Sequence, residues 1–140
     1  MPDDVNAQVI EQFRTRAGQV GMGFEGVPLL LLHTVGARTG TPRVNPLVQL
    51  PDGDRYVVIA SAGGAPSHPA WYHNLMAHPD AVIEVVGPEG DVVTRSVRAT
   101  EAHGEERRRL WDVQMAVNPA VAQHEGAAGR ALPFVVLTPV

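Results

Sequence analysis

The sequence predicts an α+β fold, mainly β, in which about six mostly antiparallel strands close or nearly close into a barrel with flanking helices. Two observations carry this prediction. Most apolar segments have the two-residue period of strands, and turns containing glycine and proline join neighbouring segments as hairpins. A sheet of this size with few features that protect its edges favours closure over an open sheet.

The N-terminal part of the chain predicts a helix followed by a turn. The helix is expected over 5–17, because apolar residues recur there at three- and four-residue spacings. The segment Gly21–Gly26 spells G-x-G-x-x-G, but a dinucleotide site requires a strand before this motif and a helix after it. The order here is the reverse, so we expect these glycines to turn the chain onto the first strand.

Six further segments are predicted as strands, with two helices among them. The strands are Leu29 to Val35, Val44 to Leu50, Tyr56 to Ala60, Ala81 to Val86, Val92 to Ala99 and Leu132 to Thr138. One helix is expected over 67–77, with Ser67 or His68 as its cap. Another is expected between Thr100, as its cap, and Asn118.

The composition indicates a single domain over residues 1–140, of which 1–25 form the N-terminal helix and a glycine-rich connection. The absence of cysteine excludes disulfides and thiolate catalysis and suits a reducing compartment. A net charge of −4 argues against nucleic-acid binding, and the N-terminus lacks the hydrophobic run of a secretory signal. The longest aliphatic run is too short to span a bilayer. These features predict a cytoplasmic protein, and we also expect a monomer or a homodimer.

Two common kinds of site are not predicted. His68, His73 and His78 lie five residues apart, so successive rings on a helix would diverge by about 140° and no metal site is expected. Ser61 lacks the leading glycine of a nucleophile elbow, so a serine hydrolase is not expected either.

A candidate anion site lies in the loop Gly36–Arg43, between the first two predicted strands. Glycines let backbone N–H groups approach a ligand, and threonine hydroxyls can donate hydrogen bonds. Arg38 and Arg43 can each hold a phosphate or carboxylate through two hydrogen bonds. The alternative is a long hairpin loop whose arginines are merely solvated, and the composition leaves both interpretations open.

A second candidate loop, Ser61–Ser67, leads into the helix that carries Trp71 and Tyr72. Small residues before a helix N-terminus leave room for backbone N–H groups to meet an anion or a polar ring edge. The aromatic side chains add flat apolar surface beside that point. The alternative is a helix cap followed by core aromatics, and for Trp71 alone core packing is the simpler interpretation.

Together the two loops resemble a known family. The segments 30–47 and 60–75 are similar to the two signatures of the deazaflavin-dependent nitroreductase family, and His78-Pro79 and the final segment 132–139 also fit. The resemblance implies a split β-barrel of the FMN-binding type that holds coenzyme F420. It further implies hydride transfer from F420H2 to a small electron-poor acceptor, such as a quinone, an enone, an unsaturated lactone or a nitro compound.

The resemblance also implies roles for particular residues. Arg38, Thr39 and Arg43 would bind the phosphate and the oligoglutamate tail of the coenzyme, with Asn45 and Pro46 shaping the exit of that loop. The residues that would line the deazaflavin ring are Ser61, Gly63, Gly64 and Trp71.

Some positions depart from the family pattern. Ala37 and Ala62 stand where members often carry a basic residue and a lysine, so tail binding would depend more on Arg38 and Arg43. The stretch 115–124 has none of the tyrosines that some members place near the substrate, so the sequence assigns no catalytic residue, and His124 or solvent could serve as the proton donor. A protein that binds F420 without catalysis, or an FMN-binding barrel, remain alternatives.

Overall fold

The computed structural model describes residues 2–61 and 64–140. Four helices and seven strands follow one another along the chain. They are α1 (Pro2–Thr15), β1 (Leu29–Val35), β2 (Pro42–Val48), β3 (Leu50–Asp52), β4 (Arg55–Ile59), α2 (Ala70–Ala77), β5 (Asp80–Val86), β6 (Val92–Glu101), α3 (Gly104–Val117), α4 (Ala120–Ala128) and β7 (Phe134–Pro139). No helix among these described residues is long and apolar enough to cross a membrane.

The strands form one sheet in the order β2-β1-β5-β6-β7-β4-β3, and every neighbouring pair is antiparallel. The two edge strands, β2 and β3, are separated in sequence by Gln49 alone. Since successive Cα atoms are 3.8 Å apart, Val48 and Leu50 lie within about 7 Å of each other. The sheet must therefore curl until its edges approach, which confirms the predicted barrel-like, mostly antiparallel fold.

The apolar run in β1 is buried on both faces of the curled sheet. Leu30 and Leu32 belong to the core inside the curl, whereas Leu29 and Leu31 pack under α1. Alternation along a strand sends successive side chains to opposite faces, so a strand covered on both sides needs apolar residues at every position. A third cluster packs α3 against β4 and β7 through Leu110.

Ion pairs fix two helices to the sheet. On α1, Arg14 donates two hydrogen bonds to Glu84 of β5, at 2.9 and 2.6 Å. These bonds, above all others, lower the pKa of Glu84. On α3, Arg109 binds both carboxylate oxygens of Asp52 at 3.0 Å, and Arg55 donates to the same carboxylate at 2.5 Å. These contacts hold α1 and α3 in register with the strands beneath them.

Several predicted boundaries were wrong. The predicted strand 44–50 is two strands, because the chain passes at Gln49 from one edge of the sheet to the other. Neither Ser67 nor His68 caps α2, which begins at Ala70 behind Pro69. The Ser67 carbonyl and the His68 ring instead bond to Arg130, at 3.0 and 2.9 Å.

The C-terminal helices also differ from the prediction. Thr100 and Glu101 do not start a helix, because they pair with Val136 and Val135 of β7 and so extend β6. α3 consequently begins at Gly104. α4 was not predicted at all, and its one fully buried residue is Ala128, which leaves no apolar periodicity to detect.

Candidate functional site

A cavity of about 780 Å³ lies where the two edges of the sheet approach each other. Strand β2 and the Gln49 connection form one wall, with α1 beside them. Strand β4, the start of α2 and the α3–α4 corner form the other wall. The walls are mostly apolar, and the polar residues that line them are Asn6, Asn45, Gln49, Ser61, Gln114, Asn118 and His124.

Four of the nine residues expected to bind a coenzyme line this cavity. Asn45 and Pro46 lie on the β2 wall, and Ser61 and Trp71 lie on the opposite wall. Trp71 is only 6% exposed and also belongs to the core inside the curled sheet. The two interpretations of Trp71 are therefore compatible in geometry, since its ring both packs in the core and faces the cavity.

Of the two glycines expected in the second loop, Gly64 is not among the residues that line the cavity. Gly63 lies outside the described residues. Gly64 has a φ of +89°, and a Cβ there would lie 3.4 Å from the Cβ of Ala127 and from the carbonyl oxygen of His124. Glycine at this position therefore lets the loop pack directly on α4.

The predicted anion loop is a compact turn. Its ends are joined by hydrogen bonds between Gly36 N–H and the Thr41 carbonyl and between Gly40 N–H and the Gly36 carbonyl, at 2.8 and 2.9 Å. The Thr39 hydroxyl donates to the Thr41 hydroxyl at 2.9 Å and accepts from the Thr41 N–H at 3.2 Å. These bonds stabilise the turn and occupy the Thr39 side chain that was expected to meet a ligand.

The two arginines of that loop are exposed, and neither forms a hydrogen bond or an ion pair with another described residue. In the β1–β2 register, Arg43 pairs with Thr34 and Asn45 pairs with Leu32. Arg43 and Asn45 thus share one face of β2 about 7 Å apart. Arg43 therefore lies two residues along β2 from the cavity-lining Asn45, and Arg38 lies further from it along the chain, on the turn.

A buried asparagine joins α2 to the end of β1 and to the turn that follows it. Asn74 of α2 is 8% exposed, accepts a hydrogen bond from the Ala37 N–H at 3.0 Å and donates to the Thr34 hydroxyl at 3.3 Å. The helix that carries Trp71 is thereby fixed to the turn that carries the free arginines. No local pattern in the sequence indicates this contact, because Ala37 and Thr34 lie 37 and 40 residues before Asn74.

Arg130 holds the second loop from outside. Its guanidinium group donates hydrogen bonds to the carbonyls of four residues at 3.0–3.4 Å, and Nη1 lies 2.9 Å from His68 Nδ1. The four carbonyls belong to Ala60, Ser61, Ala65 and Ser67. No local pattern marks Arg130, because every partner lies 62 to 70 residues earlier in the chain.

The contact with Arg130 defines which tautomer His68 adopts. Arginine can only donate, so Nδ1 of His68 accepts and the ring proton resides on Nε2. Burial and the positive charge of Arg130 both lower the pKa of His68. Tyr72 stacks beside it and donates to Glu101 of β6, and burial followed by this hydrogen bond raises the pKa of Tyr72 to about 12.

Comparison with known proteins identifies the family. A family model described as F420H(2)-dependent quinone reductase matches residues 6–139. The chain belongs to this family. An F420H(2)-dependent quinone reductase of Mycobacterium tuberculosis is 40% identical over 128 residues, which are 90% of this chain and 84% of that protein.

Solved structures agree with this assignment. A structure of an F420-H2-dependent reductase, FDR-A, is 31% identical and superposes with a TM-score of 0.67 over 79% of this chain and 93% of that one. A structure described as a domain-swapped dimer is 28% identical, with a TM-score of 0.69 over 98% and 99% of the two chains. The resemblance seen in the two loops and the split β-barrel fold are both confirmed, and the quinone reductase family is one of oxidoreductases.

Within the cavity of this family member, α4 is the helix that the sequence did not predict. Ala120, Val121 and His124 all line the cavity, and His124 alone among them is polar. The helix starts from a tight corner in which Gln114 donates to the Asn118 carbonyl and Ala120 N–H donates to the Asn118 side chain, both at 3.0 Å. The end of the stretch 115–124 thus forms part of a cavity wall.

Proposed function

We propose that the chain transfers a hydride from reduced coenzyme F420 to a small electron-poor acceptor, with quinones as the principal class. The observation that carries this proposal is the cavity at the barrel seam, lined together by Asn45, Pro46, Ser61 and Trp71. Family membership supports the coenzyme and the reaction class.

The residues present are suited to the coenzyme. A cavity of about 780 Å³ is within the range of cofactor sites, and its apolar walls with a few polar groups suit a flat ring that has polar edges. We propose that Ser61 and Trp71 contact the ring, with Asn45 and Pro46 opposite. Arg43, two residues along β2 from Asn45, would bind the phosphate or the tail, together with Arg38 on the turn.

The bound coenzyme supplies the hydride chemistry, and the protein supplies its position and surroundings. Trp71 and the apolar walls keep water from the ring, which protects the reduced form from side reactions. Asn74 and Arg130 hold the two loops around the cavity before the coenzyme arrives. The hydrogen-bond donors of these loops therefore need little reorganisation when the coenzyme binds.

Two alternatives concern the same cavity. A non-catalytic F420-binding protein would explain the missing tyrosines at 115–124, and an FMN-binding barrel would have a similar architecture. Enones, unsaturated lactones and nitro compounds are proposed as further acceptors. We also propose a cytoplasmic location, supported by the absence of cysteine, and a monomer or a homodimer, supported by the similar domain-swapped dimer.

One anaerobic experiment tests the proposal. Coenzyme F420 and FMN are titrated side by side into the protein by fluorescence, and oxidation of F420H2 by menadione is then followed. Micromolar binding of F420 with turnover is the expected result. Binding without turnover across quinone, enone and nitro acceptors would indicate the binding protein. Preference for FMN would indicate the FMN barrel, and no binding of either would refute the proposal.

A further inference from the structure

His124 has a distinctive place in the cavity. It lies on α4, on the same wall as Ser61 and Trp71. Among the described residues that line the cavity it is the one with a side chain that titrates, since the others are apolar residues, amides and a serine. Imidazole is the side chain that most readily gives and takes a proton near neutral pH.

The position of His124 is fixed by its neighbours in the chain. Glu125, the next residue, accepts hydrogen bonds from Arg107 of α3 and from the Leu132 N–H, both at 3.0 Å. In this ion pair the charges of Arg107 and Glu125 balance each other. On the other side, Gly64 packs against the backbone of His124. The imidazole is therefore carried on a braced helix rather than on a free loop.

Other proton donors in the region are less suitable. Tyr72 lies outside the cavity lining, donates its hydroxyl to Glu101, and has a pKa raised to about 12. His68 accepts from Arg130 through Nδ1, and its ring is not among the groups that line the cavity. Ser61 carries an aliphatic hydroxyl, which is too weak an acid to protonate a product near neutral pH.

We propose that His124 is the proton donor to the acceptor in this reaction, an inference that rests on the proposed function. Reduction of a quinone to a hydroquinone requires one hydride and one proton. The hydride brings both electrons from the reduced coenzyme. An imidazolium N–H bond of His124 breaks while an O–H bond forms on a quinone oxygen, and solvent then returns a proton to the ring.

The test compares His124→Gln with wild type and with His103→Gln, a control at an exposed histidine outside the cavity. Each protein is checked for its melting temperature and for its F420 dissociation constant. Menadione-dependent oxidation of F420H2 is measured at saturating coenzyme. We expect kcat to fall on the order of 100-fold in His124→Gln, with F420 affinity and melting temperature unchanged, and no change in His103→Gln.

Two further readouts separate proton donation from a structural role. In His124→Ala, added imidazole should restore part of the lost rate, whereas it should not stimulate wild type. In the coenzyme-free protein, titration with menadione should shift the side-chain NMR resonances of His124 and leave those of His103 in place. This second readout needs no turnover.

The outcomes distinguish the two proposals. If wild type binds no F420, the proposed function fails. If wild type turns over and His124→Gln matches it, proton donation by His124 is refuted while the function stands. Loss of F420 affinity in His124→Gln would also overturn the inference, because it would make His124 a coenzyme-binding residue. If His124→Gln does not fold, His124→Asn with imidazole rescue of His124→Ala decides by the same criteria.

Discussion

The two walls of the cavity are built in different ways. The strand wall, β2 and its turn, is held mainly by backbone bonds such as those between Gly36 and Thr41, with one side-chain contact from Asn74, and it leaves Arg43 unpaired among the described residues. The opposite wall is held by long-range side-chain contacts, above all those of Arg130. A change in the first wall should therefore alter ligand affinity alone, whereas a change in the second should also alter stability.

The largest effect is expected for Arg130→Met. Removing the guanidinium takes a donor from four loop carbonyls and from His68 Nδ1, and of these only the Ser61 carbonyl keeps a second donor among the described residues, the Gly64 N–H; this loss should lower the free energy of unfolding by about 3 kcal/mol. Urea unfolding would measure it, and F420 affinity should fall as well. Arg130→Lys should recover only part of the loss, because an ammonium cannot span all five acceptors. An unfolding free energy equal to wild type would contradict the proposed role of Arg130.

Arg43→Ala should weaken coenzyme binding without lowering the free energy of unfolding. The dissociation constant for F420 should rise on the order of 10- to 100-fold, as expected when one charge-assisted hydrogen bond is lost, while urea unfolding stays unchanged. The matched control is Arg95→Ala, another exposed arginine, on β6 and outside the cavity. An equal effect of the two substitutions would assign Arg43 to the general surface charge.

The pH dependence of stability tests the ion pairs through which Asp52 of β3 holds α3 to the sheet. Hydrogen bonds from Arg109 and Arg55 lower its pKa to about 2 from 3.8. A carboxyl group whose pKa is lowered by folding adds stability above its unfolded pKa and loses it as pH falls toward the folded value. Wild type should exceed Asp52→Asn by about 1 kcal/mol at pH 7, allowing for solvent screening.

That difference should shrink between about pH 4 and pH 2, where the carboxyl group of Asp52 takes up its proton. Urea unfolding of both proteins across this range measures it. A difference that does not depend on pH would show that the ion pairs add no stability and that the substitution acts through packing.

The smallest effect is expected at Ala37, the turn residue next to Arg38. Ala37 is exposed, and its backbone N–H already binds Asn74, so a longer side chain can be accommodated without disturbing the turn. Ala37→Arg should tighten binding of F420 with a long oligoglutamate tail by roughly threefold at low salt. The gain should disappear in about 0.5 M salt, and a gain that survives would point to a non-electrostatic contact.

The sequence predicted the buried strand β1 more completely than the helices of the opposite cavity wall. The predicted range of β1, Leu29–Val35, matches the structure because both of its faces are buried and its apolar run is unbroken. Pro42 and Pro46 within β2 are typical of an edge strand, since proline lacks the N–H that a central strand must donate. That signal was present in the sequence and would have indicated where the sheet ends.

Few features of the sequence indicate the helical part of the opposite wall. α4 buries one small residue, Ala128, and therefore has no apolar stripe. Arg130 acts on residues more than 60 positions away, and nothing local distinguishes it from a solvated arginine. Resemblance to a family supplied Ser61 and Trp71 on this wall, whereas His124 was named only as one of two possible proton donors and its place in the cavity wall was not predicted.

A crystal structure of the protein with bound F420 tests the central claim most directly. We expect the deazaflavin ring in the cavity at the barrel seam, in contact with Ser61 and Trp71 and facing His124. The phosphate should lie within hydrogen-bonding distance of Arg43. A coenzyme bound outside this cavity, for example against the glycine-rich segment 18–26, would contradict the account.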